Sequence, residues 1–351
     1  MDPMVLVLGV SAGAGGARAM LTHSDQPHLP PIDRCEVPYR VAGGIEESVL
    51  EAIRQMCGSA ERRAELITAT AVTCRCTEHA EAVRAAAGRT RLTIVDEPLA
   101  QLRYLRFTGQ LPDDGSVVLY DLGSSGLTVT HADSRTDAIL ANRRSTVLSG
   151  DGYDALLRWR LARSGVLTDK PTSRRHREEL SSARVITATD ADSGGRAVLT
   201  RSDLTELCAA GIHHSASFVR QLVAESGIRP GAVVLLGGCT RSPNIRQALG
   251  ELLQLPIIYD PEPEYVSARG AVLLAAERPT GDIRMAMARI PTERPAAAPV
   301  GRRKIVAAVA VTAALGATIA GLLAVDRDSA QPHDRPPATQ IQIATTPGAV
   351  R

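Results

Sequence analysis

Four places in this chain run an aliphatic, strand-like stretch into glycine, hydroxyl or acidic residues. Residues 6–16 read LVLGVSAGAGG, with Ser11 and Gly13 at the turn, and residues 117–129 read VVLYDLGSSGLTV, with Asp121 just ahead of Gly123, Ser124 and Ser125. Residues 233–243 read VVLLGGCTRSP, containing Gly237, Gly238 and Arg241, and residues 94–99 read IVDEPL, containing Glu97. Backbone N–H groups of such a turn can converge on a phosphate, and a carboxylate at a strand end can hold a hydrated magnesium ion. Paired glycines let a ligand approach the backbone, and an arginine beside them can stack on it or pair with it. Taken singly, each glycine turn reads first as an ordinary β-turn, and Glu97 reads equally as the opening carboxylate of a helix.

Composition removes several classes of function. The 351 residues carry 40 basic and 38 acidic side chains for a net charge of +2, which gives no bulk field for a polyanion, and 3% aromatics supply no base-stacking platform. Lysine occurs only at positions 170 and 304, so a catalytic lysine has two places to stand. The six cysteines include no C-x-x-C pair, which argues against a zinc cluster. Cys74 and Cys76 lie two apart in an apolar run and are expected as a buried pair on one strand face, with thiols reduced in a cytoplasmic domain. His213 and His214 are adjacent, whereas a ligand pair on a helix prefers i and i+4.

The elements that would position these turns alternate between strand and helix. Strands are expected over residues 4–10, 66–72, 92–95, 117–122, 127–131 and 232–236. A helix is expected over 203–225, where Leu204, Leu207, Cys208, Ile212, Phe218, Val219, Leu222 and Val223 recur at helical spacing, with Thr200 and Ser202 as candidate caps. The result is an α/β protein of two lobes over residues 1–276, with no repeat of fixed period. Residues 277–304 are rich in proline and arginine and read as a linker; residues 305–325 are uncharged over the ~20 positions needed to cross a bilayer as a helix. Arg302, Arg303 and Lys304 on one flank predict a single-pass cell-membrane protein with its folded part in the cytoplasm, and residues 326–351 as a disordered tail outside.

In this order, the segments resemble the nucleotide-binding domain of the heat-shock protein 70 family, in the actin-like ATPase superfamily, over residues 5–276. DLGSSGLTV is similar to that family's second phosphate hairpin, and LSGDGYD at 148–154 to the short element after it. IVDEPLAQLRYL resembles the segment leading into a helix, REELSSA at 177–183 the helix lining the adenine, and PEYVSARGAVLLA at 263–275 the close of the domain. The resemblance implies a two-lobed actin-like ATPase fold with a reduced first lobe and a C-terminal transmembrane helix, binding ATP with Mg2+. Ser11 and Gly13 would form the first phosphate turn, and Gly123, Ser124 and Ser125 would surround the β- and γ-phosphates. Asp121 would serve the metal, Glu97 would position water, Gly237, Gly238 and Arg241 would lie near the adenosine, and Arg177 and Ser181 at the adenine edge. Arg177 reads equally as a solvated charge in the cluster Arg174, Arg175, His176 and Arg177.

The departures bear on chemistry. Ser11 and Thr128 stand where the family carries aspartates, Gly126 replaces a threonine, and the shortened first lobe holds no lysine. ATP binding is therefore expected more firmly than hydrolysis. The function expected is a membrane-tethered ATP-binding protein, chaperone-like or regulatory, whose lobes close on nucleotide and alter its grip on a protein partner at the membrane face. The alternative is a pseudo-ATPase scaffold of the same fold that recruits envelope proteins without turnover.

Overall fold

The computed structural model describes residues 5–277, apart from 28, 41 and 42. The chain divides into two units, Met1–Ile290 and Pro291–Arg351, and the described residues all belong to the first. The expected membrane span at residues 305–325 lies outside them; among the described residues no helix is long and apolar enough to cross a membrane.

Buried aliphatic residues build the centre of the first sheet. β1 (Val5–Gly13) and β2 (Gly16–His23) are buried over most of their length and fold back on each other at Ala14 and Gly15, with Gly13 paired to Gly16. β3 (Asp33–Pro38) follows, then α1 (Ile45–Arg62), β4 (Leu66–Cys74), α2 (Thr77–Ala87), β5 (Thr93–Asp96) and α3 (Glu97–Phe107). The strand order is β3-β2-β1-β4-β5, with β4 and β5 parallel to β1. α1 buries Ile45, Val49, Ala52, Ile53, Met56 and Ala60, a stripe at spacings of three and four that packs on one face of this sheet.

The second half repeats the plan. β6 (Ser116–Leu122), β7 (Leu127–Asp133) and β8 (Ile139–Ser145) form an antiparallel meander. α4 (Gly150–Ala162), α5 (Lys170–Ser182), β9 (Val185–Thr189) and β10 (Arg196–Thr200) come before α6 (Arg201–Ser226), β11 (Ala232–Leu236), α7 (Pro243–Leu253), β12 (Ile257–Tyr259) and α8 (Val266–Glu277). This sheet runs β12-β11-β6-β7-β8, the same order as the first when counted from each half's opening strand. β6 and β11 are buried throughout, as strands with both faces covered must be.

Coverage of the two sheets is exchanged. α8, from the end of the second half, lays Ala268, Ala271 and Val272 on β1 and β4 of the first sheet. α3, from the end of the first half, puts Leu102 and Leu105 against Val117, Leu119 and Val234 of the second. The two helices cross so closely that a Cβ at Gly270 would fall inside the Ala100 peptide.

The expected strands are all present with small shifts of boundary, and the helix of 203–225 is α6. Its start is a capping box in which the Thr200 hydroxyl accepts from the Asp203 N–H and the Asp203 carboxylate accepts from the Thr200 N–H; Ser202 lies inside the helix and is not its cap. The expected buried cysteine pair is not formed. Cys74 closes β4 and is buried, but the strand ends there, and Cys76 is exposed at the N-cap of α2, so strand alternation no longer relates the two.

Gly270→Ala is expected to destabilise the protein by about 2 kcal/mol or more, because rigid backbone on both sides leaves the methyl no space. Gly58→Ala, in α1 with its nearest neighbour the Arg62 side chain at 3.6 Å, should be neutral or stabilising by up to ~1 kcal/mol. Urea unfolding of both variants measures the contrast.

Candidate nucleotide site

The carboxyl ends of β1, β4, β6 and β11 deliver their following turns to one cleft, the usual place for a ligand in an open α/β sheet. The second hairpin, between β6 and β7, is held from below by the start of α4. Gly123 N–H bonds the Gly126 carbonyl at 3.0 Å, while the N–H groups of Gly150 and Asp151 donate to the carbonyls of Gly123 and Ser124 at 3.0 and 2.8 Å. The Ser149 hydroxyl caps the same helix by accepting from Gly152 N–H at 3.0 Å. None of these bonds uses the N–H of Ser124 or Ser125. The first turn faces this hairpin directly: a Cβ at Gly15 would lie 2.8 Å from Ser124 Oγ.

A buried polar chain runs across the junction of the lobes. Gln101 Nε2 donates to Asp121 Oδ2 at 2.9 Å and to Ser267 Oγ at 3.1 Å, Ser267 Oγ donates to Glu97 Oε1 at 3.2 Å, and Arg75 Nε donates to Glu97 Oε2 at 3.2 Å. Burial pushes the Glu97 carboxyl above its usual range; Arg75 opposes the shift and the charge on Asp121 adds to it. Burial works against the charge on Arg75, but Glu97 and Asp121 more than offset it and keep the guanidinium above its ordinary value. Gly237, at φ 79°, closes the floor: a Cβ there would sit 2.5 Å from Asp121 Oδ1, so a side chain at this turn would displace the carboxylate.

The space falls into two connected chambers sharing Ala14, Arg75, Glu97 and Asp121. The inner one, of about 80 Å³, is walled by Ser11, Gly13, Gly123, Ser124, Arg177, Gly237 and Gly238. The outer one, of about 900 Å³, opens past Ser125, Thr128, Arg144 and the first turn of α2.

Ten of the sequence-predicted residues therefore meet in one cleft: Ser11, Gly13, Glu97, Asp121, Gly123, Ser124, Ser125, Arg177, Gly237 and Gly238. Two do not line it. Ser181 turns its hydroxyl back to the Arg177 carbonyl of its own helix at 3.4 Å, and Arg241 pairs with Glu264 at 3.0 Å with half its side chain exposed. Arg177 is not a solvated charge: it is buried, with Nε 2.7 Å from Oδ1 of buried Asp154. Burial pushes Asp154 up against the pull of that arginine.

Sequence reasoning missed Arg75, Gln101, Arg144 and Ser267. Gln101 had a signal, since it stands one helical turn after Glu97 on the same face. Arg75 follows β4 as the glycine turns follow their strands, but without a glycine to mark it. One of the two lysines does reach the cleft, from the second lobe: Lys170 lines the outer chamber and pairs with Asp151 at 2.8 Å.

The donor set does not fit a protein-held magnesium ion. Among the described residues no three His, Cys, Asp or Glu side chains gather to hold a metal. Asp121 Oδ2 is engaged by Gln101, Glu97 is paired with Arg75, and Ser11 and Thr128 add no charge. Guanidinium groups in the same cleft oppose a divalent cation further.

Two sheets of one strand order, with glycine turns opposed across the cleft between them, define a two-lobed α/β protein of a kind consistent with the actin-like architecture. Residues 168–284 match the family described as Hsp70 protein. The chain is similar to a chaperone protein HscA homolog of Pseudomonas paraeruginosa, 31% identical over 54% of this chain and 32% of that protein. It is similar to chaperone protein HscA of Escherichia coli at 28% identity and to an HscA homolog of Aeromonas hydrophila at 29%, with the same shares covered. The matched region spans about a third of the length of these curated relatives. Together the comparisons support an Hsp70-like nucleotide-binding domain in this chain.

Asp154→Ala is expected to cost about 3–5 kcal/mol of stability, since it strands the buried Arg177 charge beneath the hairpin. The double variant Asp154→Leu with Arg177→Met should recover much of that loss, as read from unfolding curves.

Proposed function

We propose that this chain is an Hsp70-like ATP-binding protein, chaperone-like or regulatory, in which nucleotide holds the two lobes together and thereby alters the surface offered to a protein partner. The observation that carries the reading is the direct opposition of the two glycine turns, Gly15 against Ser124, at the place where Asp121 and Gly237 also meet. A phosphate between those turns would be bound by backbone N–H groups from both lobes at once, so its binding energy is available to bias the lobe equilibrium. The chain Glu97–Ser267–Gln101–Asp121 links α3, α8 and β6, and would carry such a bias to the crossed helices.

Binding is better supported than turnover. The first lobe holds no lysine, Ser11 and Thr128 stand at the family's aspartate positions, and Glu97 has both oxygens engaged, by Ser267 and by Arg75. Residues 305–325 would tether the switch to the cytoplasmic face of the cell membrane, where its partner is a membrane-associated protein.

The second reading, a scaffold without nucleotide turnover, is favoured by the small inner chamber. Its volume of about 80 Å³ is well below the several hundred Å³ of ordinary small-molecule sites, so an adenosine there would need the lobes to part or the outer chamber to take up the rest of it.

A thermal-shift titration of the full chain in detergent separates the two. ATP at ~100 times its dissociation constant is expected to stabilise the protein by about 2.7 kcal/mol, and Ser124→Asp should abolish the shift by placing a negative charge at the second turn. No shift of the wild type at millimolar ATP overturns the nucleotide reading and leaves the scaffold. Deleting residues 305–325 is expected to move the protein from the membrane pellet to the supernatant on fractionation.

A further inference from the structure

We infer that Arg75 and Arg144 supply the positive charge that grips the terminal phosphates of a nucleoside triphosphate, and that this chain binds the nucleotide without a divalent metal. The inference rests on the nucleotide reading above and specifies how the site meets the polyphosphate.

The two guanidinium groups bracket the second hairpin from different lobes. Arg75 follows β4 of the first sheet, is largely buried, and holds its Nε on Glu97; its Nη2 lies 3.6 Å from the Cβ position of Gly123. Arg144, on β8 of the second sheet, donates from Nη2 to Ser125 Oγ at 2.7 Å and from Nη1 to Thr128 Oγ1 at 3.3 Å. Both line the outer chamber of about 900 Å³, which continues from the turns to solvent. Among the described residues Arg144 pairs with no carboxylate, and the only hydrogen bond of Arg75 leaves both terminal amino groups for the cleft.

That arrangement suits a phosphate and not a metal. A guanidinium offers a planar fork of donors that matches two phosphate oxygens and stays charged at every physiological pH. Glu97 orients one fork, and the hydroxyls of Ser125 and Thr128 orient the other without neutralising it. Of the two carboxylates that line both chambers, Glu97 is paired with Arg75 and Asp121 accepts from Gln101, so a cation beside them is already part of the chain.

Calorimetric titration of the full chain with ATP, in millimolar magnesium and in excess EDTA, tests this. The dissociation constant in EDTA is expected within about threefold of that in magnesium, and Arg75→Gln and Arg144→Gln should each weaken EDTA binding by about tenfold or more. Arg75→Lys, which keeps the charge and loses the fork, should fall between. Inorganic triphosphate should compete with ATP in the wild type and lose that ability in the two glutamine variants. ATP binding seen only with magnesium overturns the inference and leaves the nucleotide reading standing. Unchanged EDTA affinity in both glutamine variants also overturns it, and no binding in either buffer overturns the nucleotide reading with it. Unfolding curves guard against collapse of Arg75→Gln, and Arg144, exposed at the edge of the sheet, keeps the test open if that variant does not fold.

Discussion

The contact between Gly270 of α8 and the Ala100 peptide of α3 is the constraint on which the rest depends. Each of these helices covers a face of the sheet belonging to the other half, so neither lobe is a finished domain without its neighbour's last helix. Their close crossing brings Gln101 and Glu97 of α3 beside Ser267 of α8, and so places a hydrogen-bonded chain under Asp121 at the end of β6. A larger residue at 270 would separate the helices and pull that chain apart, so a packing requirement and the geometry of the cleft share one cause.

Around that crossing two arginines, Arg75 and Arg144, stand beside the second hairpin. A phosphate site can balance the ligand's charge with metal ions held by carboxylates or with cationic side chains. Here serine and threonine occupy positions where the resemblance leads one to expect aspartates, while Arg75 and Arg144 reach the same hairpin from different lobes. Hydroxyls at those two positions leave fewer carboxylates for a metal, and the guanidinium groups beside the hairpin would meet a negative ligand. The same arrangement bears on turnover, since phosphoryl transfer demands an oriented water as well as a cradle, and Glu97 is already committed on both oxygens.

Much of this was legible from the chain. β6 and β11 are largely aliphatic runs leading into glycine, and α6 opens on a hydroxyl cap and closes at Gly227 in the left-handed conformation, so local chemistry and tertiary context agree there. β3, β8, β9 and β10 were not legible: they are edge or ribbon strands with mostly exposed or half-exposed residues, and β8 reads ILANRRS. The duplicated strand order was hidden because aliphatic residues substitute freely for one another in a core, so topology can repeat where letters do not. Arg75 and Arg144 were hidden for a different reason. Nearly all of the 40 basic residues are arginines, and nothing in the local sequence marks the few whose strands end at the cleft.

The exchange of covering helices also sets an order of events during synthesis. β1 and β4 emerge early, yet the helix that seals one of their faces is encoded by Val266–Glu277, at the far end of the described chain. A ribosome adding ~5–20 residues per second would leave that face bare for about ten seconds or more while the whole second half is made. The first sheet to be translated is thus the last to be shielded from water. During that interval it presents an apolar β surface of the kind that other proteins must be kept from joining.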